Sequence, residues 1–408
     1  MKKALYIFTL LLLFASCKKQ PTIEPSDSTP QTTLMYMTGT DLSYYFNQNI
    51  TAIKTAVAKD ALGEGRFLVF KHSSSTSGSL IEYKYSSGLC VADTLKTYSS
   101  ITSLSQEAIV EVVADIKELA EADSYNLIIS GHATSWVLKE DNSSWSKAAR
   151  VSSSEDEAID WDAMQNSEVV TRYLGSSTDG FFDIEEFRAS LEATNTHFGY
   201  ILFDECFMSS IETGYELREL CDYIVASPCE IMGAGFPYDT VIPYLFTNGG
   251  EDFNLTGVCQ AYYDYYSTYS YPSGCVAMTV TSELDSLADI TLQINSLYSG
   301  NSVDLNSIQA YERLNGHLFF DFEQYMLAKC EDSTLSAQFE AQMEAAFPSE
   351  CRLHTERFFA NIGVSASSSN NYDAYYTTIE YYSGVTTSAP SSRMSSAWQT
   401  TSWAEATN

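Results

Sequence analysis

The chain has few basic residues. Lys and Arg together number 22 against 53 Asp and Glu, so the formal net charge at pH 7 is -31 over 408 residues. Such an acidic surface disfavours nucleic acid and anionic membrane surfaces as partners, and it attracts cationic substrates. A surface that serves solubility alone is the alternative. Hydrophobic residues make up 45% of the chain, which is typical of a globular protein with one large or two ordinary domains.

Several sequence signatures of known chemistry are also missing. The chain has no CxxC pair, no zinc-like spacing, no GxSxG, no P-loop and no fixed-period repeat. Part of an EF-hand pattern occurs around Asp179-Gly180, Asp183 and Glu186, but poor ligands stand at its first positions, Gly175 and Ser177. A cap for the following helix explains the same residues. We therefore expect no metal or cofactor to be required.

The cysteine count limits the disulfide pattern. The chain has nine cysteines, and seven remain when Cys17 and Cys206, discussed below, are set aside. An odd number cannot pair fully, so at least one thiol is free even in an oxidising compartment. Spacing leaves two candidate bridges open: Cys330 with Cys351, or Cys259 with Cys275.

The N-terminus carries a targeting signal. Lys2 and Lys3 precede an apolar stretch, 4–15, that is too short to span a bilayer but suits a secretory signal. The residues Leu13 to Cys17, LFASC, resemble a bacterial lipobox, which implies a signal peptide over 1–16 and a lipidated Cys17. An ordinary signal peptide is the alternative. Residues 17–32, rich in Pro, Ser and Thr, are then an anchor and flexible tether. We expect a lipid-anchored protein of the cell envelope, and the lack of an acidic cluster after Cys17 favours its periplasmic face.

The rest of the chain alternates between strand-like and helix-like segments. Strand-like runs end at residues 37, 70, 130, 203, 227 and 280, and helical patterns lie between several of them. The clearest helix has a capping-box pattern at Ser103 and Gln106 and an apolar face at 109, 112, 113, 116 and 119. The pattern predicts an α/β fold, a sheet with helices on both faces. A weak first helix is predicted over 41–62, and two helices, over about 305–329 and 333–346, are predicted in the C-terminal part.

The most informative stretch is YILFDECFMSS, residues 200–210. It predicts a buried strand followed by a helical pattern that begins at Phe207, so Cys206 lies at a strand end and a helix entrance, where its thiolate is favoured. His132 follows another apolar strand, Tyr125 to Ser130. Neighbouring parallel strands would bring these two residues together, as a nucleophile and a proton donor. A buried, inert Cys and a loop His are the alternative.

Two segments resemble the clostripain family of cysteine peptidases. SGHATSW, residues 130–136, is similar to that family's SGHGxGW. FDECFM, residues 203–208, with Glu212 and Tyr215-Glu216-Leu217, is similar to FDACLMxxxExxYEL. The continuation at Ala226-Ser227, Glu230 and residues 235–238 is similar to ASxE and GWPY, and the likeness extends from Thr33 to Trp398 and Trp403.

The resemblance implies a caspase-like, mostly parallel sheet with helices on both faces, over 33–298. Residues 299–408 then form a helical and irregular C-terminal region packed on, or completing, the same domain. It also implies a cysteine endopeptidase in which Cys206 attacks and His132 transfers protons. Backbone N–H groups of Ala133 and Cys206 would form the oxyanion site.

The resemblance carries further expectations about substrates and activation. Asp204, two positions before the nucleophile, would line an acidic pocket for Arg or Lys, so protein or peptide substrates with basic residues are expected. A cap for the next helix is the alternative role for Asp204. The segment from Lys147 to Arg150 would be a processing site, or else a plain surface loop. Calcium is implied by family analogy alone.

Three residues depart from the family pattern. Ala133 and Ser135 replace glycines, and Glu205 stands where a small residue is usual; a carboxylate there would raise the pKa of the nucleophile. These departures leave a rival interpretation, a caspase-like lipoprotein with weak or no catalysis that acts as a binding or scaffold module.

Overall fold

A computed structural model describes residues 29–39, 42–74, 76–101, 105–137, 183–269, 272–362 and 372–408. The predicted signal peptide, Cys17 and the processing candidates Lys147 and Arg150 lie outside the described residues, and so do Asp179 and Gly180. Within these ranges, none of the helices combines the length and the apolar character needed to cross a membrane.

The described residues contain thirteen strands and eleven α-helices. The strands are β1 Thr29–Met37, β2 Arg66–Ser74, β3 Ser77–Ser86, β4 Leu89–Tyr98, β5 Ala122–Ser130, β6 Phe198–Asp204, β7 Cys221–Ala226, β8 Cys275–Val280, β9 Phe320–Asp321, β10 Leu353–His354, β11 Arg357–Phe359, β12 Tyr376–Thr378 and β13 Thr386–Thr387. The helices are α1 Ser43–Val57, α2 Gln106–Leu119, α3 Ile184–Ala193, α4 Ile211–Leu217, α5 Tyr238–Leu245, α6 Leu255–Thr268, α7 Leu284–Leu297, α8 Phe322–Lys329, α9 Ser333–Ala346, α10 Ser395–Trp398 and α11 Ser402–Thr407.

Nine of these strands form one sheet in the order β10-β8-β7-β6-β5-β1-β2-β3-β4. The five central strands, β2, β1, β5, β6 and β7, run parallel, and antiparallel strands close both edges. The chain turns back between β1 and β5, because β2 adds on one side of β1 and β5 on the other. In such sheets the carboxyl edge at the reversal is where ligands bind.

Helices cover both faces of this sheet, as the sequence predicts. The ring of Phe203 packs on Phe187 of α3, with 6.1 Å between the ring centroids. The next residue, Asp204, accepts a hydrogen bond from Tyr238 of α5 at 2.8 Å. Successive residues of a strand point to opposite faces, so α3 and α5 lie on opposite sides of β6. The predicted α/β class with a mostly parallel sheet is confirmed.

Three predicted boundaries, one of the tether and two of helices, were wrong. The tether was predicted to extend to Thr32, but β1 begins at Thr29, because buried Gln31 donates hydrogen bonds to three carbonyls of residues 245–252. The first helix spans Ser43–Val57 rather than 41–62. The capping residue of α2 is Ser105, which accepts from the Ala108 N–H, and Leu119 at the end of α2 is exposed.

The predicted helix over 305–329 was also wrong in its first half. Among these residues α8 begins at Phe322, after Asp321 caps it by accepting from the Gln324 N–H at 2.9 Å. Upstream, the buried carboxylate of Glu312 accepts from the backbone N–H groups of Leu314 and Leu318, at 2.5 and 2.7 Å. The chain folds around this carboxylate, which a periodic pattern does not reveal. The helix predicted over 333–346 is confirmed.

All eight described cysteines are free thiols, so neither candidate bridge is present in this structure. The thiols are also grouped differently from either suggestion. Cys259 is close enough to Cys351, and Cys229 to Cys275, for the two thiols of each pair to affect each other's pKa. The pairing follows from tertiary packing, which sequence spacing does not encode.

Candidate active site

Strands β5 and β6 end at the same edge of the sheet, so the backbone positions of His132 and Cys206 both lie there. The two strands are parallel neighbours, and their register pairs Ser130 with Asp204. His132 and Cys206 each follow two residues after this pair, at the carboxyl edge of the sheet. The sequence prediction that neighbouring strands bring these positions together agrees with this register.

The turn that carries Cys206 is held against the segment after β7. The Cys206 side chain is 0% exposed, and the Ile231 N–H donates to its sulfur at 3.2 Å. The Phe207 N–H donates to the Cys229 carbonyl at 3.1 Å, and its ring stacks on Phe319 with centroids 4.9 Å apart. An N–H donor at the sulfur stabilises negative charge that develops there. No motif in the sequence pointed to Ile231.

Phe207 adopts a left-handed backbone conformation, with φ of 63°. A bulky residue rarely takes this conformation, which costs on the order of 1–3 kcal/mol and persists only where its surroundings enforce it. The buried ring on Phe319 supplies that enforcement. The conformation turns the chain sharply after Cys206.

The predicted helix entrance at Phe207 was wrong. Helix α4 begins at Ile211, and the Ser210 hydroxyl caps it by accepting from the Thr213 N–H at 3.2 Å. Cys206 therefore lies five residues before the helix, and the expected help from a helix N-terminus does not apply. The alternative role of Asp204 as the helix cap is excluded by the same finding.

The loop after β5 requires glycine at position 131. A Cβ atom on Gly131 would lie 2.3 Å from the Thr38 hydroxyl and 2.9 Å from a carboxylate oxygen of Glu205. His132 and Ala133 follow and are half-buried. Together with Glu205 and Met208 they line a mostly apolar cleft, whose floor comes from β1, β5, β6, α2 and α3: Tyr36, Ile109, Ile129, Ile184, Phe187 and Phe203.

The two glycine replacements in this loop have different consequences. Ser135 has φ of 60°, a conformation that glycine adopts freely, which explains why glycine suits this position. Its hydroxyl compensates by hydrogen-bonding Ser210 at 2.6 Å and Thr213 at 3.1 Å, so the His132 loop is fastened to the cap of α4. Among the described residues, none accepts a hydrogen bond from the Ala133 N–H, which the proposed oxyanion role requires.

Asp204 is enclosed on the face of β6 opposite the cleft. Its side chain is 0% exposed and accepts hydrogen bonds from three neutral donors. These are the Tyr238 hydroxyl at 2.8 Å, the Phe236 N–H at 3.2 Å and the Ser130 hydroxyl at 3.2 Å. These hydrogen bonds hold the carboxylate in place.

Glu205 and Cys206 face different neighbours. The Glu205 carboxylate lies over Gly131 and beside Thr38, at the ends of β5 and β1. The Cys206 sulfur contacts Ile231, beyond β7 on the other side of β6. The two side chains, adjacent in sequence, are thus divided between the two sides of the strand.

Glu212 ties the site to the C-terminal segment. Its buried Oε1 accepts from the Ser388 N–H, the Thr387 hydroxyl and the Trp398 indole, at 2.8, 3.0 and 2.8 Å. Its other oxygen has no hydrogen-bond partner in the described part of the chain, and burial raises the pKa of this carboxyl. The Trp136 indole, in the His132 loop, donates to the Ser388 hydroxyl at 3.0 Å. The motif resemblance included Glu212 but gave it no role.

Glu230 lies on the other side of the turn that carries Cys206. It is fully buried, and its carboxylate accepts from the backbone N–H groups of Asn361 and Ile362, at 2.8 Å each. Glu230 directly precedes Ile231, the donor to the Cys206 sulfur. No group of three or more metal-binding side chains occurs in the residues that the structure describes.

Comparisons with known proteins give a consistent result. The sequence model of the clostripain family, peptidase family C11, matches residues 35–400. A secreted C11 cysteine protease from Bacteroides thetaiotaomicron, iotapain, is 30% identical, with a TM-score of 0.79 over 93% of this chain and 100% of that chain. A clostripain from the same species, in complex with the peptide inhibitor BTN-VLTK-AOMK, is 33% identical, with a TM-score of 0.51 over 57% of this chain and 97% of that chain.

A more distant structure has the same fold. An inactive zymogen C11 protease from Parabacteroides distasonis is 24% identical, with a TM-score of 0.73 over 93% of this chain and 98% of that chain. None of the curated proteins matches this chain.

Proposed function

The chain belongs to the clostripain family of cysteine peptidases and has its caspase-like fold, and from that premise we propose that Cys206 and His132 are its catalytic dyad. The observation that carries the proposal is the register of β5 and β6, which sets both residues two positions beyond the paired Ser130 and Asp204. The Ile231 N–H at the Cys206 sulfur supports the role of Cys206 as the nucleophile.

The dyad would work through a thioester. The Cys206 thiol gives its proton to His132 as its sulfur attacks the carbonyl carbon of the scissile peptide, and the carbonyl oxygen takes the negative charge. N–H groups of Ala133 and Cys206 stabilise that oxyanion. His132 gives a proton to the leaving amine, and a water molecule that loses its proton to His132 then hydrolyses the thioester. The carboxylic product leaves and the thiol is restored.

The test of the dyad is loss of turnover in the full chain. Cys206→Ala and His132→Ala are each expected to lower kcat/KM on a fluorogenic peptide that ends in Arg or Lys by at least about 1000-fold. Cys221→Ala is the matched control, since Cys221 is a buried cysteine that pairs with Phe198 at the far end of β6. Turnover that survives in the Cys206 variant would refute the proposal.

We further propose cleavage after Arg or Lys. Asp204 lies two residues before Cys206, and its buried carboxylate would attract the cationic side chain of a substrate. The net charge of -31 favours basic substrates at longer range. The peptide portion VLTK of the inhibitor bound to the related clostripain ends in lysine, which also supports the proposal.

Asp204→Asn tests this specificity because it keeps the size of the side chain. We expect kcat/KM to fall by about 10–100-fold on Arg and Lys peptides and to change little on an otherwise identical norleucine peptide. An equal loss on both peptides would make Asp204 a structural residue only.

Processing and location remain proposals of the same kind. We propose that cleavage within Lys147 to Arg150 activates the enzyme; replacing both residues by Ala should leave a single uncleaved chain on a denaturing gel.

We propose a lipid anchor at Cys17 that holds the protein in the cell envelope; Cys17→Ala should move it from the membrane to the soluble fraction. No cofactor is proposed, so activity should survive EDTA, and a loss restored by calcium would overturn this.

The rival, a scaffold without catalysis, rested on Ala133, Ser135 and Glu205. The hydroxyl of Ser135 compensates for the missing glycine through its hydrogen bonds. The Glu205 carboxylate lies on the other side of the strand from the contact between the Cys206 sulfur and Ile231. The comparisons, all with proteases, do not favour the scaffold.

A further inference from the structure

A pair of thiols outside the catalytic site lies between α6 and the turn before β10. Cys259 is on α6, and Cys351 ends the short 3₁₀ turn Ser349–Cys351. The two thiols are close enough for each to shift the pKa of the other. The Thr256 hydroxyl, one helical turn before Cys259, lies 3.3 Å from the Cys351 sulfur. The Cys351 sulfur therefore rests on the helix face that carries both residues.

The contact makes the two sulfurs chemically unequal. The interaction with Cys259 lowers the pKa of the Cys351 thiol to about 7, and the same interaction together with burial raises the pKa of Cys259. Cys351 is then partly thiolate near neutral pH, and the thiolate is the form that attacks a disulfide. Both side chains are buried, but Ser349 and Glu350 of the same turn are exposed, so a small opening of the turn admits a reagent.

We propose that Cys259 and Cys351 form a disulfide by exchange with a low-molecular-weight disulfide. The Cys351 thiolate attacks one sulfur of the donor and releases the other as a thiol. The Cys259 thiol then loses its proton and attacks the Cys351 sulfur of the mixed disulfide, which releases the second donor thiol. Two protein thiols are oxidised and one donor disulfide is reduced to two thiols. The proposal uses the oxidising envelope proposed above but does not depend on peptidase activity.

The bridge would fasten the wall behind the nucleophile. Directly after Cys351, β10 pairs with β8, and the chain continues to Asn361 and Ile362. These two residues donate to Glu230, the neighbour of Ile231. A covalent link closing a loop of about 90 residues restricts the unfolded chain strongly, so the oxidised protein should be the more heat-stable form.

The second thiol pair provides an internal control. Cys229 also lies close to Cys275, but burial raises the pKa of Cys275 well above its usual range, with no effect that lowers it. That pair closes a loop of about 45 residues, so its bridge would stabilise less. Cys229→Ser is therefore the matched variant.

The experiment compares the full chain after incubation with oxidised glutathione and with dithiothreitol. Free thiols are alkylated under denaturing conditions, and peptides are mapped without reduction by mass spectrometry. We expect a linked Cys259–Cys351 peptide in the oxidised sample, and a melting temperature higher by about 5–10 °C than in the reduced sample. Cys259→Ser and Cys351→Ser should remove both effects, while Cys229→Ser should keep them.

Three results would overturn the proposal: both cysteines alkylated after oxidation, Cys351 linked to another cysteine, or a melting shift that persists in Cys259→Ser. None of these readouts requires turnover. A protein that bridges but does not cleave peptides would refute the peptidase dyad alone, and a protein that cleaves but does not bridge would refute the disulfide alone.

Discussion

Strand β6 and the C-terminal segment, residues 383–398, both lie beside the turn that carries Cys206, but different forces hold them. Residues Tyr200 to Phe203 of β6 are an apolar run buried between two helical layers. In the C-terminal segment, Ser383, Thr386, Thr387 and Ser388 are also fully buried, although all four are polar. Burial of polar groups is stable only where each finds a partner.

The partners of the C-terminal segment come from distant parts of the chain. The Thr386 N–H donates to the Ser209 carbonyl at 3.0 Å, and the Ser209 hydroxyl donates to the Gly384 carbonyl at 2.7 Å. Glu212 and Asp321 supply buried carboxylates to Ser388 and Ser383. Comparing the two regions shows that one side of the turn that carries Cys206 depends on apolar packing. The other side depends on a network of buried hydrogen bonds.

The largest expected effect comes from removing the centre of that network. Glu212→Ala leaves the donors at Thr387, Ser388 and Trp398 without their acceptor, so we expect the free energy of unfolding to fall by about 4–5 kcal/mol. Urea denaturation measures it. Glu212→Gln keeps an acceptor oxygen and is the control. If Ala and Gln variants are equally stable, the hydrogen bonds do not hold this segment.

The same residue predicts a pH dependence. Burial raises the pKa of Glu212, so the folded chain binds this proton more tightly than the unfolded chain does. The stability that the protonated form contributes is complete below about pH 4.5 and is lost as pH rises through the folded pKa. Gln does not titrate, so the stability of the wild type relative to Glu212→Gln should decrease as pH rises above about 4.5. A difference that stays constant or grows would contradict the raised pKa.

A comparable truncation in β6 should behave differently. Leu202 is fully buried and pairs with Ile128 and Val225 on the neighbouring strands. Leu202→Ala should cost about 3 kcal/mol through lost burial and a cavity, with no dependence on pH. Ile201→Val, at the adjacent position, is the mild control, at about 1 kcal/mol. A loss of unfolding free energy in Leu202→Ala that depends on pH would contradict the distinction between the two regions.

The contrast explains what the sequence could predict. Apolar runs such as Tyr200 to Phe203 indicate buried strands on their own, and the position of a strand end follows from where the run stops. The positions of His132 and Cys206 at strand ends could be predicted because both follow such runs. Family resemblance, not spacing, gave them chemical roles.

The parts that sequence reasoning missed depend on tertiary partners. The left-handed Phe207 delays α4 to Ile211, and its conformation is enforced by Phe319, more than 100 positions away. The irregular chain before α8 folds around Glu312, and the buried hydroxyls of residues 383–388 are indistinguishable in sequence from a surface loop. Local patterns carry no information on such contacts.

The smallest expected effect concerns Ser135, where the two kinds of stabilisation meet. Its φ of 60° favours glycine, whereas its hydroxyl bonds Ser210 and Thr213. In Ser135→Gly the relief of backbone strain and the lost hydrogen bonds oppose each other, so stability should change by less than about 1 kcal/mol. Ser135→Val, which is β-branched and lacks the hydroxyl, should lose about 2 kcal/mol.

Urea denaturation of the two Ser135 variants separates the contributions of backbone and hydroxyl. A Gly variant that is destabilised as much as the Val variant would mean that the hydroxyl alone matters, and that the left-handed conformation carries little strain. Conversely, a Gly variant more stable than the wild type would mean that the hydroxyl cluster only partly offsets the missing glycine. In that case, kcat/KM of the Gly variant on an Arg peptide shows whether the cluster is kept for holding the His132 loop in place.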